Sequence, residues 1–270
     1  MNKPFFTARN DKVFKTILGS EDNKELLKLF LEKIIKEEIK ELTFLKNELN
    51  INYPKERRKT VDLLVKTEKE FIHIELNNGY SDYLHMRNFC YFTNIYSKKT
   101  KAGEKYNLKD KFMHIDFTYG KKDKRLYRKY KVMDEEKEKY INNFEIVEYN
   151  MDKIMELWYT KSEKIEEYKH LIMLDLDKEN LEKLSEGDEL VEEYKKEIEE
   201  LNENETYTSW LTPEEDERFI LNTERSIGYE EGEKAKSLQV AKKMLDKGLS
   251  IEDIMDITNL TKNEIEKIKK

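Results

Sequence analysis

Cysteine is almost missing from this chain: Cys90 stands alone among 270 residues. That excludes a disulfide framework and a cysteine-rich zinc site, and it suits a reducing compartment. Proline and glycine are scarce too, at three and eight residues, which excludes low-complexity and fibrous sequences. No apolar run approaches the ~18 residues of a membrane span, and Met1–Asp11 lacks the apolar segment of a secretory leader. The four histidines (His73, His85, His114, His170) show no ligand spacing, and there is no Gly-rich phosphate loop, H-E-x-x-H or G-x-S-x-G. These absences leave a soluble, cytoplasmic, globular chain with no membrane partner, in which any metal is a hard cation held by carboxylates.

Charge is what the sequence has in abundance. Charged residues make up 40% of it, yet Leu, Ile, Val and Phe still total 69, enough to fold a core. The net charge of −7 conceals a division. Residues 1–132 carry 30 Lys/Arg against 19 Asp/Glu, a balance of +11; residues 133–270 carry 21 against 39, a balance of −18. Such asymmetry hints at a polyanion-binding part joined to something else. Lys98–Lys131 holds 13 basic and 4 acidic residues interleaved with Tyr106, Phe112, Phe117, Tyr119, Tyr127 and Tyr130. That mixture suits phosphate contact and base stacking, and equally suits a solvated lysine-rich surface.

Apolar spacing predicts two helices within Asp11–Lys40, broken near Gly19–Asn23, then an edge strand around Leu42–Leu49. Thr60–Lys66 and Glu70–Leu76 read as an antiparallel hairpin and Asp82–Tyr96 as a helix, with strands at Lys111–Tyr119 and Phe144–Tyr149. Asp152–Leu201 is acidic and helical; Asn202–Glu231 is polar and the least ordered stretch expected. Beyond it, Ala235–Lys247 ends at Gly248 as a helix does at a left-handed cap. Ser250 and Thr261 open two more helices, with staples Leu249–Ile254 and Leu260–Ile265. The fold class is therefore α/β, a mixed sheet flanked by helices with a C-terminal helical extension. Its expected parts are a core at 1–150, an acidic helical region at 151–231 and a helix-turn-helix-like tail at 232–270.

Asp62 and Glu75 interrupt the two apolar strands of the hairpin. A carboxylate in a buried strand costs several kcal/mol unless paired or metal-bound. Either the two converge on one divalent cation, with the Leu76 carbonyl as a third oxygen, or each pairs with a nearby lysine.

The order Asp11-x-x-Phe14-Lys15, Val-Asp62-Leu-Leu-Val, Ile-Glu75-Leu-Asn77, Arg87-x-x-x-Tyr91, Gly103-x-x-Tyr106 resembles the PD-(D/E)XK nuclease superfamily. More narrowly it is similar to the recombination-promoting nuclease (Rpn) family, also labelled putative transposases, and the similarity runs on through Ala241–Gly248 and Ile257–Thr261. The resemblance implies a restriction-endonuclease-like core and Mg²⁺-dependent hydrolysis of DNA, with Asp62 and Glu75 binding the metal. Asn77 stands where the superfamily has a lysine and the narrower family usually a glutamine; an amide orients a water or a phosphate oxygen but adds no positive charge.

Lys66 shares a strand face with Asp62 and is one candidate for the missing cation, though it reads more readily as a solvated strand-end lysine. Asp11 is an accessory carboxylate or a helix N-cap. Arg87 and Tyr91 share a helix face, and the fork of Arg87 suits phosphate. In the tail, Lys262, Asn263 and Lys267 suit a DNA groove. The five acidic residues of that segment favour packing or homodimerisation instead. The expectation is a Mg²⁺-dependent DNA endonuclease; the alternative is a catalytically silent nuclease-fold protein that binds DNA or a protein partner.

Overall fold

Alternating side chains sort the central strands into two faces, and both faces are buried. The computed structural model describes residues 4–46, 48–49, 59–97, 110–211, 236–258 and 260–268. They fall into two compact units, Met1–Glu217 and Arg218–Lys270.

The first unit is built on a six-stranded mixed sheet. Its strands are β1 (Leu42–Phe44), β4 (Leu63–Thr67), β5 (Glu70–Asn77), β6 (Lys111–Thr118), β8 (Phe144–Asn150) and β7 (Tyr127–Tyr130), in that spatial order. Two short strands, β2 (Glu48–Leu49) and β3 (Lys59–Thr60), pair separately. The expected hairpin forms: β4 and β5 are antiparallel with Leu63 opposite Ile74. β6 and β8 then follow β5 in parallel, and β7 closes the far edge antiparallel.

Ile72, Ile74 and Leu76 of β5, with Ile115 and Phe117 of β6, face the main core. Helices α1 (Asp11–Gly19) and α2 (Lys24–Ile35) cover that face. α1 turns Val13, Phe14, Ile17 and Leu18 inward, at the spacing of one helix face. Its last residue explains the close approach: a Cβ on Gly19 would lie 2.6 Å from Leu63 Cδ2.

The acidic helical region expected from residue 151 is not separate in its packing. α4 (Met151–Tyr159), α5 (Ile165–Ile172), α6 (Lys178–Ser185) and α7 (Glu189–Glu203) bury Ile154, Leu171, Leu184, Tyr194 and Ile198 in the same core. A short α8 (Glu205–Thr208) follows. Composition suggested a separate region because the solvent faces of these helices are acidic; their apolar stripes decide the packing.

Across the sheet lies α3 (Leu84–Ser97), whose Leu84, Asn88, Phe92 and Ile95 point inward. Phe92 packs on Phe71 and Phe112, and Ile95 on Val61 and Leu64. Under the first half of α3 the sheet face is polar, carrying His73, Glu75, Asn77, His114, Asp116 and Glu148, all buried.

In the second unit, α9 (residues 236–246), α10 (Ile251–Thr258) and α11 (Lys262–Ile268) share a small core of Ala241, Ile254, Leu260 and Ile265. Gly248 takes φ +78° and ends α9, with Leu249 N–H donating to Met244 O at 3.1 Å. Thr261 and Glu264 cap α11 reciprocally, Thr261 N–H donating to Glu264 Oε2 at 2.9 Å. Among the described residues no helix is long and apolar enough to cross a membrane.

Candidate active site

Hairpin register brings Asp62 and Glu75 together. Asp62 lies just before β4 rather than within it, so its side chain is not committed to a strand face. Its backbone N–H donates to Glu75 Oε1 at 3.2 Å, and its own Oδ2 accepts from Leu76 N–H at 2.8 Å. Both carboxylates are buried. Burial, then Glu75 and Asp11, push the Asp62 pKa up to about 7 despite Lys15 and the Leu76 N–H. Burial likewise raises Glu75 to about 7 against the opposing pull of Arg87. These are two acids that the surrounding protein does not fully neutralise.

The cations beside them come from two helices. Lys15 Nζ sits 2.8 Å from Asp62 Oδ1 and 2.7 Å from Asp11 Oδ2. Burial works against its charge, yet Asp62 and Asp11 prevail and hold it above the ordinary lysine value. The α1 packing that buries Val13 and Phe14 leaves Asp11 and Lys15, one turn apart, on the flank facing Asp62. Asn10, not Asp11, caps the helix, its side chain accepting from Lys12 and Val13 N–H groups.

Arg87, from α3, lies 3.8 Å from Glu75 Oε2 and donates to Asn77 Oδ1. Asn77 donates in turn to Asp116 Oδ1, and Asn88 donates to Asp116 Oδ2 at 2.6 Å. Tyr91, one turn after Arg87, packs beside Val61 and Leu64, with the guanidinium 5.9 Å from its ring centre. Lys66 is not part of this group. It pairs across the hairpin with Phe71, over whose ring its ammonium lies at 5.0 Å. Four residues of extended strand separate it from Asp62, roughly 13 Å. Gly103 and Tyr106, with the rest of 98–109, lie outside the described residues.

Three features of the site were not legible as such. Lys15 stood within a motif but carried no assigned role. Glu75, Asp116 and Glu148 are register partners across β5, β6 and β8, so three carboxylates line up side by side. Glu148 is held at about 2: burial opposes its charge, but His85 and Lys121 overcome that. Asp116 is raised to about 7 by burial, then by Glu148 and Glu75, which outweigh Arg87 and Asn88.

The third feature is a histidine pair under Glu75. His73 Nε2 lies 2.8 Å from Glu75 Oε1, and His73 Nδ1 lies 3.0 Å from His114 Nδ1. Burial, then Arg87, lower His73 to about 3, so the ring is neutral. With Glu75 ionised, His73 donates from Nε2 and accepts at Nδ1, a tautomer assigned from the hydrogen-bond network. His114 then donates from Nδ1, which leaves its Nε2 a bare acceptor.

Residues 8–230 match the family model described as PD-(D/E)XK nuclease family transposase. The chain belongs to that family. Residues 234–270 match a second model, the C-terminal HTH domain of the Rpn/YhgA-like nuclease family. Neither the comparison with curated proteins nor that with solved structures gives a match. The restriction-endonuclease-like fold class follows, and the tail, in which packing outweighed DNA contact on charge alone, is a helix-turn-helix domain of nuclease-family type.

The donor set of this PD-(D/E)XK chain suits a hard divalent cation. Asp62 and Glu75 offer carboxylate oxygens whose charge Lys15 and Arg87 only partly offset. Among the described residues no three His, Cys, Asp or Glu side chains are grouped to hold a metal. A two-carboxylate shell completed by a backbone carbonyl and water is of the partial kind that Mg²⁺ prefers.

Proposed function

We propose that this chain is a Mg²⁺-dependent DNA endonuclease of the recombination-promoting or transposase-like type, acting from the cytoplasm. The observation that carries the proposal is the convergence of buried Asp62 and Glu75 between Lys15 and Arg87. Asp62, Glu75 and the Leu76 carbonyl would hold the metal, which when bound polarises the scissile phosphate and lowers the pKa of the attacking water.

The chain's own residues supply the rest. Lys15 fixes Asp62 Oδ1 and leaves Oδ2 on the Leu76 N–H, so the carboxylate is oriented before any ligand arrives. Asn77 adds no charge, but it accepts from Arg87 and so holds a guanidinium near the position where the superfamily has a lysine. Arg87 is therefore the donor placed for the negative charge that builds on the phosphate. Asp11 acts through Lys15 as an accessory carboxylate. Tyr91 supports Arg87.

The alternative is a silent nuclease-fold protein that binds DNA or a partner without cutting. The double hydrogen bonding of Asn77, to Arg87 and Asp116, favours it, because that amide is already engaged. Supercoiled plasmid with the purified protein and Mg²⁺, beside a chelated control, decides between them. Metal-dependent nicking supports the endonuclease; retained plasmid binding without nicking supports the silent reading. Homodimerisation through the helix-turn-helix domain belongs to the same proposal, and sedimentation tests it.

A further inference from the structure

Next to Glu75, on the same face of the sheet, lies a cavity of about 330 Å³ between α3, β6, β7 and β8. That volume is within the range of small-molecule sites, about 300–1,000 Å³. Its apolar and aromatic walls are Met86 and Phe89 of α3, Tyr130 of β7 and Ile146 of β8; its polar lining is His114 and Asp116 at the floor with His85, Asn88 and Glu148 around them. Met86 and Phe89 are large apolar side chains left 66% and 46% exposed, so α3 presents them at the mouth instead of burying them.

One polar atom of the floor is left without a partner. His114 is 1% exposed and its Nε2 has no hydrogen-bond partner; Asp116 Oδ2 is 3.9 Å away and already accepts from Asn88. A buried polar atom without a partner costs free energy that a ligand's N–H would recover. Glu148 does not meet that need, because its oxygens accept from His85, Lys121 and Tyr130. The cavity thus asks for a flat group that stacks on an aromatic wall and points N–H donors inward.

We infer that this cavity takes an unstacked nucleobase carrying an exocyclic amino group, from the nucleotide beside the phosphate held at Asp62 and Glu75. The inference rests on the nuclease reading for its setting. Asp116 is the register partner of Glu75, so the floor lies one to two strand spacings from the proposed metal site, about 5–10 Å. A nucleotide spans that distance from phosphate to base. Adenine, cytosine and guanine offer an amino group to His114 Nε2. Thymine has no exocyclic amino group, and its one ring N–H is flanked by two carbonyl oxygens that would face the same acceptors, so the cavity discriminates against it. Enzymes that read an extruded base use this combination of apolar stacking and edge hydrogen bonds.

The test uses the full-length chain without metal, its methionine and isoleucine methyls labelled for NMR. It is titrated with dAMP, dCMP, dGMP and dTMP, while a fluorescein-labelled duplex is followed by anisotropy. The amino-bearing nucleotides are expected to shift the Met86 and Ile146 methyls saturably, with dTMP about tenfold weaker, the factor that one unpaired buried group carries. Ile146→Trp fills the cavity and abolishes the shift of Met86. Phe89→Ala, a change at an exposed position, weakens binding without threatening the fold. No saturable shift, or dTMP binding as tightly as the others, overturns the inference. Nucleotide binding without duplex binding defeats the nuclease reading and leaves the base pocket standing; duplex binding and cutting without nucleotide shifts defeats the pocket alone.

Discussion

Replacing Asp62 by Asn is expected to stabilise the metal-free protein at the same time as it destroys the site. Asp62 moves from an ordinary 3.8 to about 7 in the fold because burial and the Glu75 charge outweigh Lys15. A raised acid binds its proton more tightly folded than unfolded, so its ionisation costs stability as pH rises. The penalty is absent below 3.8, grows through the interval, and is complete above about 7. Its ceiling is about 4 kcal/mol at roughly 1.4 kcal/mol per tenfold. Glu75 shares the penalty, and the Asn amide must still be satisfied, which leaves an expected gain of about 1–3 kcal/mol. For a unit of this size that is a rise of roughly 2–10 °C in Tm. Thermal melts at pH 4 and pH 8 with a chelator check it: Asp62→Asn should match wild type at pH 4 and melt higher at pH 8. Saturating Mg²⁺ should reverse the order at pH 8, since at a thousandfold excess over Kd only wild type gains about 4.1 kcal/mol. A variant that melts lower at pH 8 without metal would refute the reasoning, for Lys15 would then neutralise Asp62 completely.

Asp62→Ala and Glu75→Ala should each lower metal-dependent plasmid nicking by roughly a thousandfold or more, as the activated water is lost; near-normal nicking by both would sink the assignment. Arg87→Met should lower the nicking rate roughly a hundredfold, the scale of losing one donor to developing charge, with the melt little changed. A chain cut after Asn150 should aggregate, because it uncovers the core under α4–α7, whereas one cut after Glu217 should stay folded and bind DNA in a salt-sensitive way, read by anisotropy. Gly19→Ala should cost about 1 kcal/mol in chemical denaturation by driving α1 off Leu63.

Local rules decided much of this protein, and those parts were legible in the sequence. The caps at Gly248 and Thr261, the helical spacing of Val13, Phe14, Ile17 and Leu18, and the hairpin around Glu68–Lys69 depend only on near neighbours. The order of motifs from Asp11 to Tyr91 carried the resemblance to the PD-(D/E)XK nucleases. β7 escaped notice because Tyr127–Tyr130 is an edge strand without apolar alternation. The identity of the cation at Asp62 was settled by tertiary packing alone: Lys66 is four residues away, Lys15 forty-seven, and α1 docking on Leu63 brings in the distant one. The same holds for Glu75, Asp116 and Glu148, in line through the register of two parallel pairings whose strands are joined by long crossovers. Parallel register is a non-local property, set by how helices pack on both faces of the sheet, and no residue spacing within a strand encodes it.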